Sequence, residues 1–366
     1  MSEDATIVLS AGGSGGHLFP AQALAGELAR RGKKIVVMTD SRGTSYTDAF
    51  PDAAIETVPS AAFSDRSTFR LLTAPLEIGA GIAVALAKLA RIRPRAVVGF
   101  GGYPTVPTMI AAALARLPTA ILEQNAVVGR ANRLVMNRMR IVAAAFPIAR
   151  FAPRDISKII LVGNPVRPDV VALAGCYYER PTANGPLRLL VFGGSQGARA
   201  LSDVVPAAIG LLPPEFKSRL ELVQQCRPED VERVRAAYRS FGVNAELQPF
   251  FKDLPERMAR AHLVISRAGA GTVSELAVIG RPAILIPLPH ALDDNQTPNA
   301  DILERAGAGW RIRQAELSPH KLADMLTNAF SSPDDLARRA LAARSVARPD
   351  AAQRLADVVE DLARAA

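Results

Sequence analysis

Cysteine is almost absent from this chain of 366 residues, which contains only Cys176 and Cys226. The two form no CxxC motif and lie in no cluster with histidine, so the sequence predicts neither a disulfide framework nor a zinc site. Such sparse cysteine is typical of a reducing compartment, and we expect a cytoplasmic protein. The first residues, MSEDATIVLS, also lack the basic stretch and the cleavage site of a secretory signal.

Three further signatures are missing. The apolar run IGAGIAVALA, which begins at Ile78, ends at Lys88, about half of the ~20 residues that a membrane-spanning helix needs. No D-x-D triplet occurs, which disfavours a diphosphate held by a divalent metal, so we expect no metal and no cofactor. No G-K-[ST] triplet occurs either, which excludes a P-loop.

Acidic residues are scarce in the first half of the chain. Residues 1–165 contain 19 Lys and Arg but only 11 Asp and Glu, and so carry most of the net charge of +9. A basic surface indicates an anionic partner such as nucleic acid, anionic lipid or a phosphorylated substrate, with solubilising charge as the alternative. Aromatic residues make up only 5% of the chain, and no nucleic-acid-binding motif occurs, so we expect no nucleic-acid partner.

Short β-branched runs alternate with helical patterns, which predicts a doubly wound α/β sheet. The pattern starts again after a proline-containing segment, Gly163–Pro168, and therefore predicts two similar domains. We expect an N-terminal domain over 1–164, a second domain over 165–345, and a C-terminal helix over 346–366 that packs back on the first domain. The predicted strands are Thr6–Ala11, Lys34–Thr39, Ala96–Phe100, Thr119–Leu122, Ile141–Ala145, Leu187–Phe192, Leu263–Ser266 and Ala283–Pro287.

The stretch SAGGSGGHLFPA, which begins at Ser10, contains four glycines after the first strand. A dinucleotide fingerprint that starts at Gly13 would need glycine at position 18, where the chain has Leu18. The glycines can still present free N–H groups to an anion at the start of a helix, although a tight βα turn is the alternative. The amphipathic stretch that predicts the following helix begins at Ala21, directly after Pro20.

Three more glycine loops follow strands: FGGYPTVP, FGGSQGARA and SRAGAGTVSE. Because ligands of open α/β sheets bind at the carboxyl ends of the strands, the four loops together indicate a phosphorylated ligand in a cleft between two domains. In the last loop, Thr272 and Ser274 offer hydroxyls. Glu275 is either a ligand of a ribose diol or a capping acid in the first turn of the helix.

His17 follows the first glycine loop at the head of a helix. A neutral imidazole there can act as a general base, and capping of the loop is the structural alternative. Glu123, Gln124 and Asn125 end another predicted strand, where three consecutive polar residues indicate a site more than a turn.

With these loops in place, the chain resembles the MurG family of bacterial glycosyltransferases. The segments that carry the resemblance span most of the chain in the family's order: GGSGGHLFPA, FGGYPTVP, EQN, GNPVR, GGSQGA, RAGAGTVSE and DDNQTPNA. The resemblance implies a GT-B fold, with two Rossmann-like domains separated by a cleft. It also implies metal-independent, inverting transfer of N-acetylglucosamine from UDP-GlcNAc to the C4 hydroxyl of the N-acetylmuramate of lipid I, which gives lipid II for peptidoglycan.

The same resemblance implies roles for individual residues. His17 is the first choice of general base and Glu123 the second. The expected ligands of the donor are Ser14, Gly15 and Gly16 near the sugar and diphosphate; Asn125, Arg167 and Ser195 at its polar groups; Phe251, whose backbone meets uracil; Ala270, Gly271 and Thr272 at the phosphates; Glu275 at the ribose; and Gln296 at the sugar hydroxyls. Leu122 and Asn295 replace histidines that are common in the family, so no role of those histidines carries over.

The resemblance also implies a peripheral enzyme on the cytoplasmic face of the inner membrane, with cell-wall synthesis proteins among its partners. A helix near residues 69–95 would place apolar side chains on anionic lipid, and a core-facing helix with a solvated basic face is the alternative. Its residues are Phe69, Leu71, Leu72, Leu76, Ile78, Ile82 and Leu86 among Arg70, Lys88, Arg91, Arg93 and Arg95. Rival functions are a glycolipid synthase, a UDP-GlcNAc 2-epimerase, and a non-catalytic subunit that binds a UDP-sugar and docks a partner to the membrane.

Overall fold

The chain folds into two compact units, each built on a parallel β-sheet. The structure is a computed structural model and describes residues 5–12, 15–41, 50–60, 68–194, 197–289 and 291–365. The first unit comprises Met1–Arg167 together with Pro349–Ala366, and the second comprises Pro168–Arg348. No helix within these described ranges is both long and apolar enough to span a bilayer.

The first unit contains a sheet of seven strands in the order β3-β2-β1-β4-β5-β6-β7, and every neighbouring pair is parallel. The central strands are buried on both faces, as their continuous apolar runs predict. The strands are β1 Thr6–Ser10, β2 Lys34–Thr39, β3 Ala53–Thr57, β4 Ala96–Gly99, β5 Thr119–Glu123, β6 Ile141–Ala144 and β7 Ile159–Leu161.

Four helices connect these strands: α1 Gly15–Arg30, α2 Thr68–Ile92, α3 Thr105–Leu114 and α4 Arg130–Val135. Helix α1 begins six residues before the predicted start at Ala21. Pro20 is tolerated inside it because proline removes only one helical hydrogen bond at this point, the one to the Gly16 carbonyl. Gly15, Gly16 and His17 therefore belong to the first turn of a helix.

The second unit contains a sheet of six parallel strands in the order β10-β9-β8-β11-β12-β13. Its strands are β8 Leu187–Phe192, β9 Leu220–Gln225, β10 Ala245–Gln248, β11 Leu263–Ser266, β12 Ala283–Leu285 and β13 Gly309–Arg311. Its helices are α5 Pro168–Ala172, α6 Arg199–Gly210, α7 Pro214–Lys217, α8 Val231–Ser240, α9 Leu254–Arg260, α10 Ala270–Ile279, α11 Gln296–Arg305, α12 Pro319–Phe330 and α13 Pro333–Ser345.

The last helix, α14 Ala351–Arg364, packs on α1 in the first unit. Its apolar residues, among them Leu355 and Val359, join the core that covers one face of the first sheet. The Arg31 guanidinium, at the end of α1, donates to Asp357 at 2.6 Å and to Glu360 at 3.0 Å. The first unit is thus completed by a segment that is remote in sequence.

Candidate active site

Each sheet reverses its strand order at one point. In the first unit β1 lies between β2 and β4, and in the second unit β8 lies between β9 and β11. At such a point the loops that follow the two central strands diverge and leave a crevice at the carboxyl ends. The four glycine loops follow β1, β4, β8 and β11, so each unit carries two of them at its own crevice.

In the first unit the loops after β1 and β4 are in close contact. A Cβ added to Gly12 would lie 2.8 Å from the Pro104 side chain. Gly101 and Gly102 have φ angles of +85° and +78°, a region that side chains disfavour. Cβ atoms added to these two glycines would lie 3.3 and 3.2 Å from His17 carbons, so the bare backbone makes room for the imidazole ring.

His17 lies in the first turn of α1 and is partly buried. Burial lowers the pKa of His17 below 6.5, and a hydrogen bond to the Phe100 carbonyl only partly opposes this effect. Its Nδ1 is buried and has no hydrogen-bond partner among the described residues. Burial therefore favours the neutral imidazole, which is the state that a general base requires.

Glu123 is the last residue of β5 and is 2% exposed. Burial raises the pKa of Glu123, although four hydrogen bonds to the carboxylate oppose the rise. One oxygen accepts from the Asn125 amide nitrogens, at 2.9 Å from the backbone and 3.3 Å from the side chain. The other accepts from Gly129 N and Asn132 Nδ2, both at 2.8 Å. Both oxygens are thus occupied in holding the loop that contains Asn125.

The remaining predicted residues of the first unit lie near the start of α1. Gly16 is exposed and Gly15 lies against the Phe19 ring. The Arg167 guanidinium lies 5.3 Å from the centre of the same ring, which places this cation beside the first turn of α1. Ser14 lies outside the described residues.

The second unit contains a pocket of about 800 Å³ at its crevice. Its lining includes the glycines that follow β8 together with Thr272 and Gln296, and we name it the glycine-loop pocket. Helices α6 and α10 both begin beside it. Their N-cap residues are Ala198 and Gly269, and neither supplies a side-chain hydrogen bond. Their first N–H groups are therefore not occupied by a capping side chain and favour an anion in the pocket.

Gln225, at the end of β9, holds the glycine loop in place. Its Oε1 accepts from Gly193 N at 3.0 Å, and its Nε2 donates to the carbonyls of Gly194 at 2.9 Å and Pro249 at 3.1 Å. This role of Gln225 was not predicted from the sequence. The only signal was a pair of polar residues, Gln224 and Gln225, at the end of a strand.

Gln296 and Glu275, both predicted to bind the UDP-sugar, differ in their positions and contacts. Gln296 Oε1 accepts from Ala268 N at 3.2 Å and from Leu288 N at 3.0 Å, which leaves its Nε2 for a ligand. Glu275 is the sixth residue of α10 and lies in the second turn, while the first turn contains no acid. The expectation that Glu275 caps the first turn is therefore wrong.

Ala270 and Gly271 open α10; Ala270 is buried and Gly271 is exposed. Phe251 is 5% exposed and packs under the Arg257 guanidinium at 4.4 Å; Gln225 ties the segment before it, at Pro249, to the glycine loop. Ser195 lies outside the described residues. No group of three or more potential metal ligands occurs among the residues that the structure describes.

Part of helix α2 faces the core of the first unit, and the contact of this helix with lipid stays a prediction. Ile82 and Leu86 pack against the core of the first unit, and Lys88 and Arg91 both pair with Glu56. The side chains of Phe69, Arg70, Leu71, Leu72 and Leu76 lie outside the described residues.

A second basic surface of the first unit lies where strands β4, β5 and β6 of its sheet begin. A groove of about 880 Å³, which we name the arginine groove, has an apolar floor that includes Leu86 and Leu89. Its basic residues are Arg93, Arg95, Arg116 and Arg140, all exposed.

Two Rossmann-like units with glycine loops at their crevices are typical of the GT-B fold of glycosyltransferases, and the matches to known families give the class. Residues 7–144 match the glycosyltransferase family 28 N-terminal domain, and residues 188–355 match the family 28 C-terminal domain. The chain belongs to the MurG family, the UDP-N-acetylglucosamine–N-acetylmuramyl-(pentapeptide) pyrophosphoryl-undecaprenol N-acetylglucosamine transferases.

The membership rests on similarity over nearly the whole chain. The transferase of that name from Chelativorans sp. (strain BNC1) is 52% identical over 98% of this chain and 95% of its own. The one from Paramagnetospirillum magneticum is 49% identical over 97% and 96%. The crystal structure of Acinetobacter baumannii MurG superposes with a TM-score of 0.80 at 29% identity, over 98% of this chain and 99% of its own.

Proposed function

We propose that this protein transfers N-acetylglucosamine from UDP-GlcNAc to lipid I and so forms lipid II. Family membership supports the substrates. The observation that carries the chemistry is the position of the His17 imidazole beside the bare Gly101–Gly102 backbone, at the crevice of the first unit. Burial lowers the pKa of His17 and so favours its neutral form. Glycosyl transfer needs a cavity for the substrates and a base for the acceptor hydroxyl. In this fold both are expected at the carboxyl ends of the strands.

In the proposed reaction the C4 hydroxyl oxygen of N-acetylmuramate attacks the anomeric carbon of the donor. The new C–O bond forms as the bond from this carbon to the diphosphate breaks, with inversion, and the bonding electron pair leaves with UDP. His17 accepts the hydroxyl proton.

Glu123 then serves as a positioning residue in this proposal. Its carboxylate accepts four hydrogen bonds from its own loop, so a proton transferred to it would break contacts that hold Asn125 in place. Asn125 and Arg167 would bind polar groups of the donor. We assign the base to His17 and the shape of the loop to Glu123.

The second unit would hold the nucleotide in this proposal. The glycine-loop pocket offers the uncapped starts of α6 and α10 to the diphosphate. Ala270, Gly271 and Thr272 open α10 and would meet the phosphates. Glu275 would accept from the ribose hydroxyls, the Phe251 backbone would meet uracil, and Gln296 Nε2 would donate to the sugar.

The role of His17 is tested by alanine substitution with a matched control. We expect His17→Ala to lower kcat for transfer of labelled sugar from UDP-GlcNAc to lipid I by between about 10² and 10⁴. The Kd for UDP should change little, because the base acts on the acceptor. His320→Ala removes an exposed imidazole from α12 and should change neither quantity. A wild-type kcat in His17→Ala would remove this residue from the mechanism.

We also propose that the protein binds the cytoplasmic face of the inner membrane through the arginine groove. Lys88 and Arg91 are paired with Glu56, whereas the groove places four exposed guanidinium groups around an apolar floor. Cations beside apolar side chains suit a surface of anionic lipid.

Vesicle sedimentation tests this location. Arg116→Ala with Arg140→Ala should weaken binding to vesicles that contain phosphatidylglycerol, and added salt should abolish the difference. Arg338→Ala is the control, because this exposed arginine of α13 in the second unit pairs with Asp335. Equal binding by all variants at low salt would contradict the proposed surface.

A further inference from the structure

The glycine-loop pocket carries an excess of positive charge. Among the described residues, its lining contains three arginines, Arg199, Arg227 and Arg267, and one acid, Glu229. Arg199 lies 3.6 Å from Asp203 and is largely exposed, so its charge is screened by solvent. The surroundings of Arg227 and Arg267 favour a bound anion.

Arg267 is a buried cation without an anionic partner. It is 8% exposed and donates to the carbonyls of Ile286 at 3.1 Å and Pro287 at 3.2 Å, and to Gln314 Oε1 at 2.7 Å. These acceptors are all neutral, and no carboxylate among the described residues forms an ion pair with it. Burial without a counter-charge lowers the pKa of Arg267, although a guanidinium remains charged at neutral pH.

Arg227 lies at the rim of the same pocket, against the glycine loop. Gly197 has a φ of +67°, and a Cβ added there would lie 3.2 Å from Arg227 Cγ, so the glycine makes room for the arginine stem. The guanidinium pairs with Glu229 at 3.6 Å, and both side chains are well exposed. Such a surface pair contributes little energy, so Arg227 can exchange Glu229 for a stronger anion.

We propose that Arg267 and Arg227 together supply the counter-charge for the diphosphate of the nucleotide sugar, the first from the floor of the pocket and the second from its rim. This inference rests on the proposed function. When the bond to the anomeric carbon breaks, the leaving UDP gains one negative charge on its β-phosphate oxygen. The two guanidinium groups stabilise that charge, so they favour the transition state as well as the bound nucleotide.

Calorimetric binding of UDP and of uridine to the full chain tests the proposal, because uridine lacks the diphosphate. We expect Arg227→Ala and Arg267→Gln each to raise the Kd for UDP about tenfold or more, and to leave the Kd for uridine unchanged. Arg267→Lys keeps the charge and should retain more UDP affinity than Arg267→Gln. Arg235→Ala is the matched control, since this arginine pairs with Glu232 on α8 and does not line the pocket.

Arg227, which is only partly buried, decides the test if Arg267→Gln fails to fold. Wild-type UDP affinity in Arg227→Ala would overturn the proposal, and so would an equal loss of UDP and uridine affinity, which would indicate a general role in shaping the pocket. Failure of the unmodified protein to bind UDP would instead overturn the proposed function, so the two failures are distinguishable.

Discussion

Replacing Gly102 with alanine tests whether the backbone beside His17 must be free of side chains. The substitution has two separable effects. At a φ of +78° a Cβ strains the backbone, which costs about 1–2 kcal/mol of the free energy of unfolding. The same Cβ would lie 3.2 Å from His17 Cδ2, so the ring has to shift by a few tenths of an ångström.

The shift should lower kcat by about tenfold, because a displacement of ~1 Å in a reacting group costs about a hundredfold. Gly32→Ala is the matched control. Gly32 has a φ of +75° in the same unit, and an added Cβ there would meet nothing within 4 Å. Urea unfolding should show similar losses of stability in both variants, whereas the transfer assay should show a loss only in Gly102→Ala. Equal kcat values for the two variants would refute this account of the ring.

Three more predictions concern the second unit, the C-terminal helix and the nucleotide. Burial, reinforced by Arg188, lowers the pKa of His262 from 6.5 to about 4. The free energy of unfolding should therefore fall by up to about 3 kcal/mol as pH drops from 6.5 to 4. His262→Gln should flatten this pH dependence in urea titrations, and an unchanged slope would contradict the prediction. Arg31→Ala should lower the free energy of unfolding by about 2–3 kcal/mol, because it removes contacts with α14. Arg30 is the control: its exposed side chain pairs with Glu27, and Arg30→Ala should cost under about 1 kcal/mol. Equal losses in the two variants would count against the anchoring of α14. Glu275→Ala should weaken UDP binding in calorimetry, and an unaltered Kd would remove the ribose contact.

The central strands could be predicted from the sequence because they are buried on both faces. Runs such as AVVG in β4 and LVIS in β11 are continuously apolar, and the prediction of two Rossmann-like domains is confirmed. The strands that were not predicted, such as β3, β7 and β10, are only partly buried, and β3 and β10 also mix apolar and polar residues. Their pairing depends on neighbouring strands, which a local pattern does not record.

The site was predictable only where its residues are unusual in themselves. Glycine loops after strands and a histidine among glycines are visible in the sequence. Two of the hydrogen bonds to the Glu123 carboxylate come from Gly129 and Asn132, which approach it only when α4 folds back on β5. The clamp by Gln225 and the buried charge of Arg267 depend on contacts between segments far apart in the chain. Likewise, the ion pairs of Lys88 and Arg91 with Glu56 join residues more than 30 positions apart, so the sequence did not predict them.

The product formed from UDP-GlcNAc labelled in its sugar and from lipid I in detergent tests the proposed function most directly. We predict that the label moves to the lipid fraction as lipid II, that one UDP is released per sugar transferred, and that the new linkage has the anomeric configuration opposite to that of the donor. Release of free labelled sugar or of its 2-epimer, with no labelled lipid II, would contradict the account.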